Sequence, residues 1–121
     1  MHESPLLPPC PESPNCVSSQ SENPEQYVEP LSYTGPASDA KAKLHTILAA
    51  QPRTQIVSDQ DAYLHIEVTS FLFRFTDDVE FLFDDGHKLI HIRSASRTGY
   101  WDLGVNRKRV ETIRTHFLKQ L

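Results

Sequence analysis

At 121 residues, with a formal net charge of −4 and a sequence pI of about 5.8, the chain fits one small domain. It does not fit a general nucleic-acid binder, which is usually basic overall. Its apolar runs are too short to span a membrane and no basic segment leads into an apolar stretch, so a soluble cytoplasmic protein without a secretory signal is expected.

Residues 1–37 read as an extended Pro-rich arm. Seven of the nine prolines lie in the first 30 residues, alongside five glutamates and no lysine or arginine. Pro8, Pro9, Pro11 and Pro14 favour polyproline-like geometry and exclude helix. Cys10 and Cys16 stand six positions apart and can close a small disulfide loop. Free thiols in a cytosol and a disulfide in an oxidising space are the two alternatives. Two thiols fall short of the four ligands of a structural zinc site, so no metal is assigned.

Residues 38–121 read as an α+β domain. Ser38 is the expected N-cap of a first helix, with Asp39 in its first turn, Ala40, Leu44, Ile47 and Leu48 on one face, and Pro52 as its stop. A short strand is expected over Thr54–Ser58. Over Ala62–Thr69, Leu64, Ile66 and Val68 alternate with polar residues, a half-buried strand. The phase then flips at Phe71, Phe73 and Phe75, which predicts a bulge or turn near Ser70 and core positions for these rings. Asp77 and Asp78 read as a turn. Val79, Phe81 and Phe83 alternate along the next strand, Asp85-Gly86 is a hairpin signal, and His87–Arg93 is the last strand. Val110, Ile113, Phe117 and Leu121 recur at helical spacing. The expected fold is a two-layer sandwich: an antiparallel sheet of four or five strands with two helices on one face. A domain of this size is marginal alone, and a packed arm or homo-oligomerisation would help it.

Between the last strand and the last helix, Arg93 to Arg109 carries five cationic side chains, one acid and the single tryptophan. Gly99 and Gly104 bracket Tyr100, Trp101, Asp102 and Leu103, and Asn106 is the expected N-cap of the helix. A helix N-terminus facing Arg93, Arg97, Arg107 and Arg109, with Ser94 and Ser96 beside them, favours an anion. Asp102 can equally accept hydrogen bonds from Arg97 or Arg107 and tie the loop down. The acidic arm can fold back over this basic patch, or the patch can meet an acidic partner. Trp101 either plugs the sheet edge or lines a contact surface.

The segment RSASRTGYWDLGVNRKRVETIR, together with CPESPNCVSSQ near the N-terminus and DDVEFLF between them, resembles the domain-of-unknown-function 1499 family of bacterial and plastid proteins. The likeness runs from about Pro9 to Leu118. It implies that Arg93, Ser94, Ser96, Arg97, Gly99, Asp102, Gly104, Asn106, Arg107 and Arg109 act together, and it brings no activity with it. Some relatives carry membrane or export segments, from which this chain departs.

A second constellation lies on the expected outer sheet face, where His65, Glu67 and His91 could share acid–base work while the arginines hold an anionic substrate. No G-x-S-x-G elbow surrounds Ser94 or Ser96, and neither a P-loop nor a dinucleotide fingerprint is present, so no cofactor is expected. Two function classes follow. One is a small binding module for an anionic small molecule or an acidic protein segment, with Arg93, Ser94, Ser96, Arg97, Asp102, Asn106, Arg107 and Arg109 as its contacts. The other is a small hydrolase-like enzyme built on His65, Glu67 and His91.

Overall fold

Period-two apolar patterning places Leu64 and Ile66 against Phe81 and Val79, and these in turn beside Ile92 and Ser94, across three adjacent antiparallel strands. The computed structural model describes residues 6–71 and 74–119. In chain order they form β1 (Cys16–Ser18), β2 (Leu31–Ser32), α1 (Ala37–Ala49), β3 (Thr54–Gln60), β4 (Tyr63–Thr69), β5 (Thr76–Asp84), β6 (Leu89–Ser96) and α2 (Val105–Lys119). The antiparallel sheet runs β1-β6-β5-β4-β3, with β2 also paired to β6. Both helices cover one face. Leu44, Ile47 and Leu48 of α1 and Val110, Ile113 and Phe117 of α2 share a core with the inward residues of β4, β5 and β6. This is the α+β two-layer arrangement. Among the described residues no helix is long and apolar enough to cross a membrane.

The sheet has six strands rather than four or five, and the added two come from the proline-rich segment. β1 pairs with β6 at Arg93–Ala95 and β2 pairs with it at Leu89–Ile90, so the two lie end to end along one edge. Val17, Val28, Leu31 and Tyr33 enter the core. Proline forbids helix but not edge pairing, provided it falls outside the bonded positions. The prolines at 8, 9, 11, 14, 24 and 30 all do. The edge of β6 would otherwise expose unpaired N–H and C=O groups. The boundary drawn at residue 38 therefore cuts across one hydrogen-bonded sheet.

Other differences are local. Helix α1 starts at Ala37 behind Pro36, with no side-chain cap, so Ser38 lies inside its first turn. Strand β3 continues to Gln60 with a register irregularity between Ile56 and Ser58. Of the bulge or turn expected near Ser70, the turn is what forms, as the hairpin between β4 and β5. The Ser70 N–H donates to the Phe75 carbonyl, the Phe75 N–H donates to Ser70 Oγ, and Arg74 takes a φ of 57°. Phe71 and Phe75 are exposed on this hairpin, contrary to the core placement expected for them. Phe73 and Leu121 lie outside the described residues. Asp77 and Asp78 belong to β5, not to a turn. Strand β6 runs on to Ser96, because Ser94 is small enough to sit fully buried beneath the start of α2.

Candidate functional site

Alternation along β6 separates the expected site residues onto two faces. Ile92 and Ser94 point toward the helices, while His91 and Arg93 point away from them. The arginine loop is therefore not one cluster.

On the helix side, Asn106 is fully buried and sits inside the first turn of α2. Ser94 Oγ donates to Asn106 Oδ1 at 2.6 Å. Asn106 Nδ2 donates to the Asn15 carbonyl at 3.1 Å, to Ser96 Oγ at 3.0 Å and to Asp102 Oδ2 at 2.9 Å. Arg109 donates to Ser94 Oγ and Asn106 Oδ1 and pairs with Asp77 at 2.8 Å. Asn106 is thus a buried knot and not the N-cap. The cap function falls to Asp102, whose Oδ1 accepts from the Gly104 N–H at 2.8 Å and whose Oδ2 accepts from the Asn106 N–H at 3.0 Å. A carboxylate already occupies the place an anion would take at this helix start. Asn15 joins the segment carrying Cys10 and Cys16 to the same knot: its Nδ2 donates to the Gly99 carbonyl at 2.7 Å. Cys10 and Cys16 are joined as a disulfide.

The proline-rich segment folds back over the basic helix, but through carbonyls and not through glutamates. Arg107 donates to the carbonyls of Tyr27 and Glu25, and Arg114 to those of Pro30 and Glu29. The carboxylates of Glu12 and Glu25 are left at the surface, where neither forms an ion pair with a described residue.

On the outer face, Arg93 pairs with buried Glu80 at 3.2 Å and donates to the Pro9 carbonyl. Tyr63 donates its hydroxyl to the same Glu80 at 2.6 Å, and burial with this carboxylate pushes the Tyr63 pKa up. Arg97 reaches Asp78 through Nε at 2.7 Å and Glu67 through Nη2 at 2.6 Å. These bonds raise the Arg97 pKa, while the Arg97 guanidinium, with His65 as a further donor, holds Asp78 below the ordinary carboxylate range. His65 Nε2 lies 2.8 Å from Asp78 Oδ1. The ligand atoms of His65, Glu67 and Asp78 fall within 4.8 Å of one another, which is metal-ligand spacing. The guanidinium of Arg97 already bridges both carboxylates.

His91 is not part of this group. Its Nδ1 lies 3.1 Å from Ser19 Oγ, its register partner is Leu82, and burial lowers its pKa. The constellation of His65, Glu67 and His91 is therefore not assembled, and Asp78 is the member that sequence reasoning missed. Counting in twos from Val79 would have placed Asp78 outward, beside Glu67, had it not been read as a turn.

The loop from Gly99 to Val105 completes the region. Gly99, Leu103 and Gly104 all adopt positive φ, at 80°, 56° and 78°. Tyr100 and Trp101 meet edge to face with centroids 5.4 Å apart. Trp101 is 74% exposed and Leu103 95%, so the tryptophan does not plug the sheet edge. Tyr100 and Val105 are exposed beside them. Tyr100 and Trp101 form one wall of a groove of about 380 Å³ whose other wall carries Pro14, Glu12 and Glu25.

The family model described as "Protein of unknown function (DUF1499)" matches residues 6–117. No curated protein matches the chain.

Proposed function

The chain belongs to the DUF1499 family, which has no assigned function, and from that premise we propose that it is a non-enzymatic interaction module. Its contact surface is the Gly99–Val105 loop with the adjoining groove, and its partner is a basic protein segment with apolar side chains. One observation carries the reading. The polar atoms that fix the loop turn inward, to Asn15, Asn106 and the start of α2, while Tyr100, Trp101, Leu103 and Val105 face solvent. A loop held rigid with its apolar side chains outward is pre-organised for association. The left-handed backbone of Leu103 agrees with this, since such strain clusters at functional loops.

The partner's charge follows from what remains free. Arg93, Arg97, Arg107 and Arg109 are each engaged within the protein, which weakens the case for an anion or acidic segment at this loop. Glu12 and Glu25 flank the exposed rings of Tyr100 and Trp101, a combination of carboxylates and π faces that suits Lys or Arg. The enzyme reading loses support because His91 stands apart from His65 and Glu67. The Cys10–Cys16 bond favours an oxidising compartment over the cytoplasm.

Trp101 is the only tryptophan, so its fluorescence reports binding directly. Titration with a Lys/Arg-rich peptide containing leucine should shift that emission, and an acidic peptide of the same length should not. In anisotropy with a labelled basic peptide, Trp101→Ala should weaken binding by about 2 kcal/mol, a roughly thirtyfold loss typical of an aromatic anchor. Equal binding of the acidic peptide, or full binding by the Trp101→Ala protein, would overturn the reading.

A further inference from the structure

A second cleft lies on the helix side of the sheet, away from the acidic groove. It has a volume of about 280 Å³ and is bounded by the end of α1, the turn into β3, strand β4 and the first turns of α2. Its floor is core: Leu48, Ile66 and Ile113 line it, and each is buried. Val68 and Val105 form apolar walls. The charges at its rim are all positive, since Arg53, Lys108 and Arg109 line it and no acidic side chain does.

The three cations are not equivalent. Arg109 is neutralised by Asp77 at 2.8 Å. Arg53 donates through Nε to the Thr69 carbonyl and lays its guanidinium over the Phe71 ring at 5.7 Å, which leaves the in-plane Nη donors facing outward from the ring. Lys108 is exposed, and its ammonium has no hydrogen bond or ion pair to a described residue. An apolar floor beneath the Lys108 ammonium, with the Arg53 guanidinium at the same rim, is complementary to a molecule with an apolar body and an anionic head. The volume sits near the low end of small-molecule sites, roughly 300–1,000 Å³.

We propose that this cleft binds a small amphiphilic carboxylate, with its short hydrocarbon chain against Ile66, Val68 and Ile113 and its carboxylate at Lys108 and Arg53. The anion chemistry suggested by the basic start of α2 thus belongs to the helix face and not to the arginine loop. Arg93, Arg97 and Arg107 take no part in it. The site shares only Val105 with the loop surface and needs no partner protein.

The test is a titration followed by backbone amide chemical shifts on the full chain, with hexanoate, acetate and 1-hexanol as separate probes. Hexanoate should move the amides of Val68, Val105 and Lys108 and leave that of Trp101 in place. It should bind at least tenfold more tightly than acetate, which lacks the chain, and than hexanol, which lacks the charge. Lys108→Glu, on the exposed face of α2, should weaken hexanoate at least tenfold without lowering the melting temperature. Thr112→Trp, which fills the cleft from its rim, should abolish binding. Trp101→Ala should bind hexanoate as the parent does, so a failed loop surface and a failed cleft read differently. Equal affinity for hexanol, shifts centred elsewhere, or no shift up to the solubility of hexanoate would each overturn the proposal.

Discussion

Ser94 and Arg93 are neighbours on β6 and belong to opposite kinds of chemistry. Ser94 enters a knot with Asn106, Asn15, Ser96, Asp102 and Arg109, whose polar groups satisfy one another at 2.6–3.2 Å and whose centre, Ser94, Asn106 and Asn15, is buried. Arg93 belongs to a ladder of ion pairs on the outer face, with Glu80 and Tyr63 at one rung and His65, Asp78, Arg97 and Glu67 at the next. Both regions look like sites in a one-dimensional reading, because both gather polar residues. The difference is burial. A buried polar network is costly to break, since each group left without a partner incurs its full desolvation penalty. The Arg97 rung is half-exposed and is replaced by water at little loss, whereas the Arg93–Glu80 pair is itself largely buried.

The sharpest way to break this contrast is Asn106→Ala. It removes the centre of the knot and leaves the Ser94 O–H without its acceptor, while the Asn15 carbonyl keeps the Ser96 N–H, so urea unfolding should show a loss of about 2 kcal/mol. A loss below about 1 kcal/mol would mean that the inner network does not hold the arm, β6 and α2 together.

Asp102→Ala should cost less, about 1 kcal/mol, because it removes a cap and one contact to the knot while the loop stays near water. An unchanged melting temperature would sink the capping role and return Asp102 to the list of functional groups.

The smallest effect should come from the outer face. Arg97→Ala should lower stability at neutral pH only slightly, and that small difference should vanish at low pH, where Asp78 is protonated in both proteins. Asp78 titrates below its ordinary value of 3.8 in the folded protein, chiefly because of Arg97. Its stabilisation is therefore complete above 3.8 and drains away as pH falls through the lower folded value. Loss of the guanidinium raises the folded value toward the unfolded one, so the acid-induced loss should shrink. An identical acid limb in the two proteins, followed by thermal melts from pH 5 to pH 2, would contradict the role assigned to this pair.

Residues of strong local pattern were readable in advance. Leu64, Ile66, Val79, Phe81 and the apolar faces of both helices carry their period in the chain, and each is buried where that period puts it. The loop bracketed by Gly99 and Gly104 was also readable, since both glycines take positive φ. The candidate site was less so. Arg93, Arg97, Arg107 and Arg109 look like one cationic cluster, and nothing local says that Glu80, Asp78, the Tyr27 carbonyl and Asp77 will engage them one by one. Asp78 was missed because two adjacent aspartates resemble a turn when the partner strand is unseen.

Taken alone, the sequence determined the two-layer α+β class, the amphipathic helices and the position of the Gly-flanked loop, because these depend on periodicity and on backbone freedom within a few residues. Tertiary structure decided that the proline-rich segment adds β1 and β2 to the edge of β6, that Asn106 is a buried knot, and that Lys108 at the cleft has no hydrogen-bond or ion-pair partner among the described residues. Each of these joins residues separated by tens of positions. What they exchange is burial and hydrogen-bond partnership, and neither quantity exists until the chain has closed on itself.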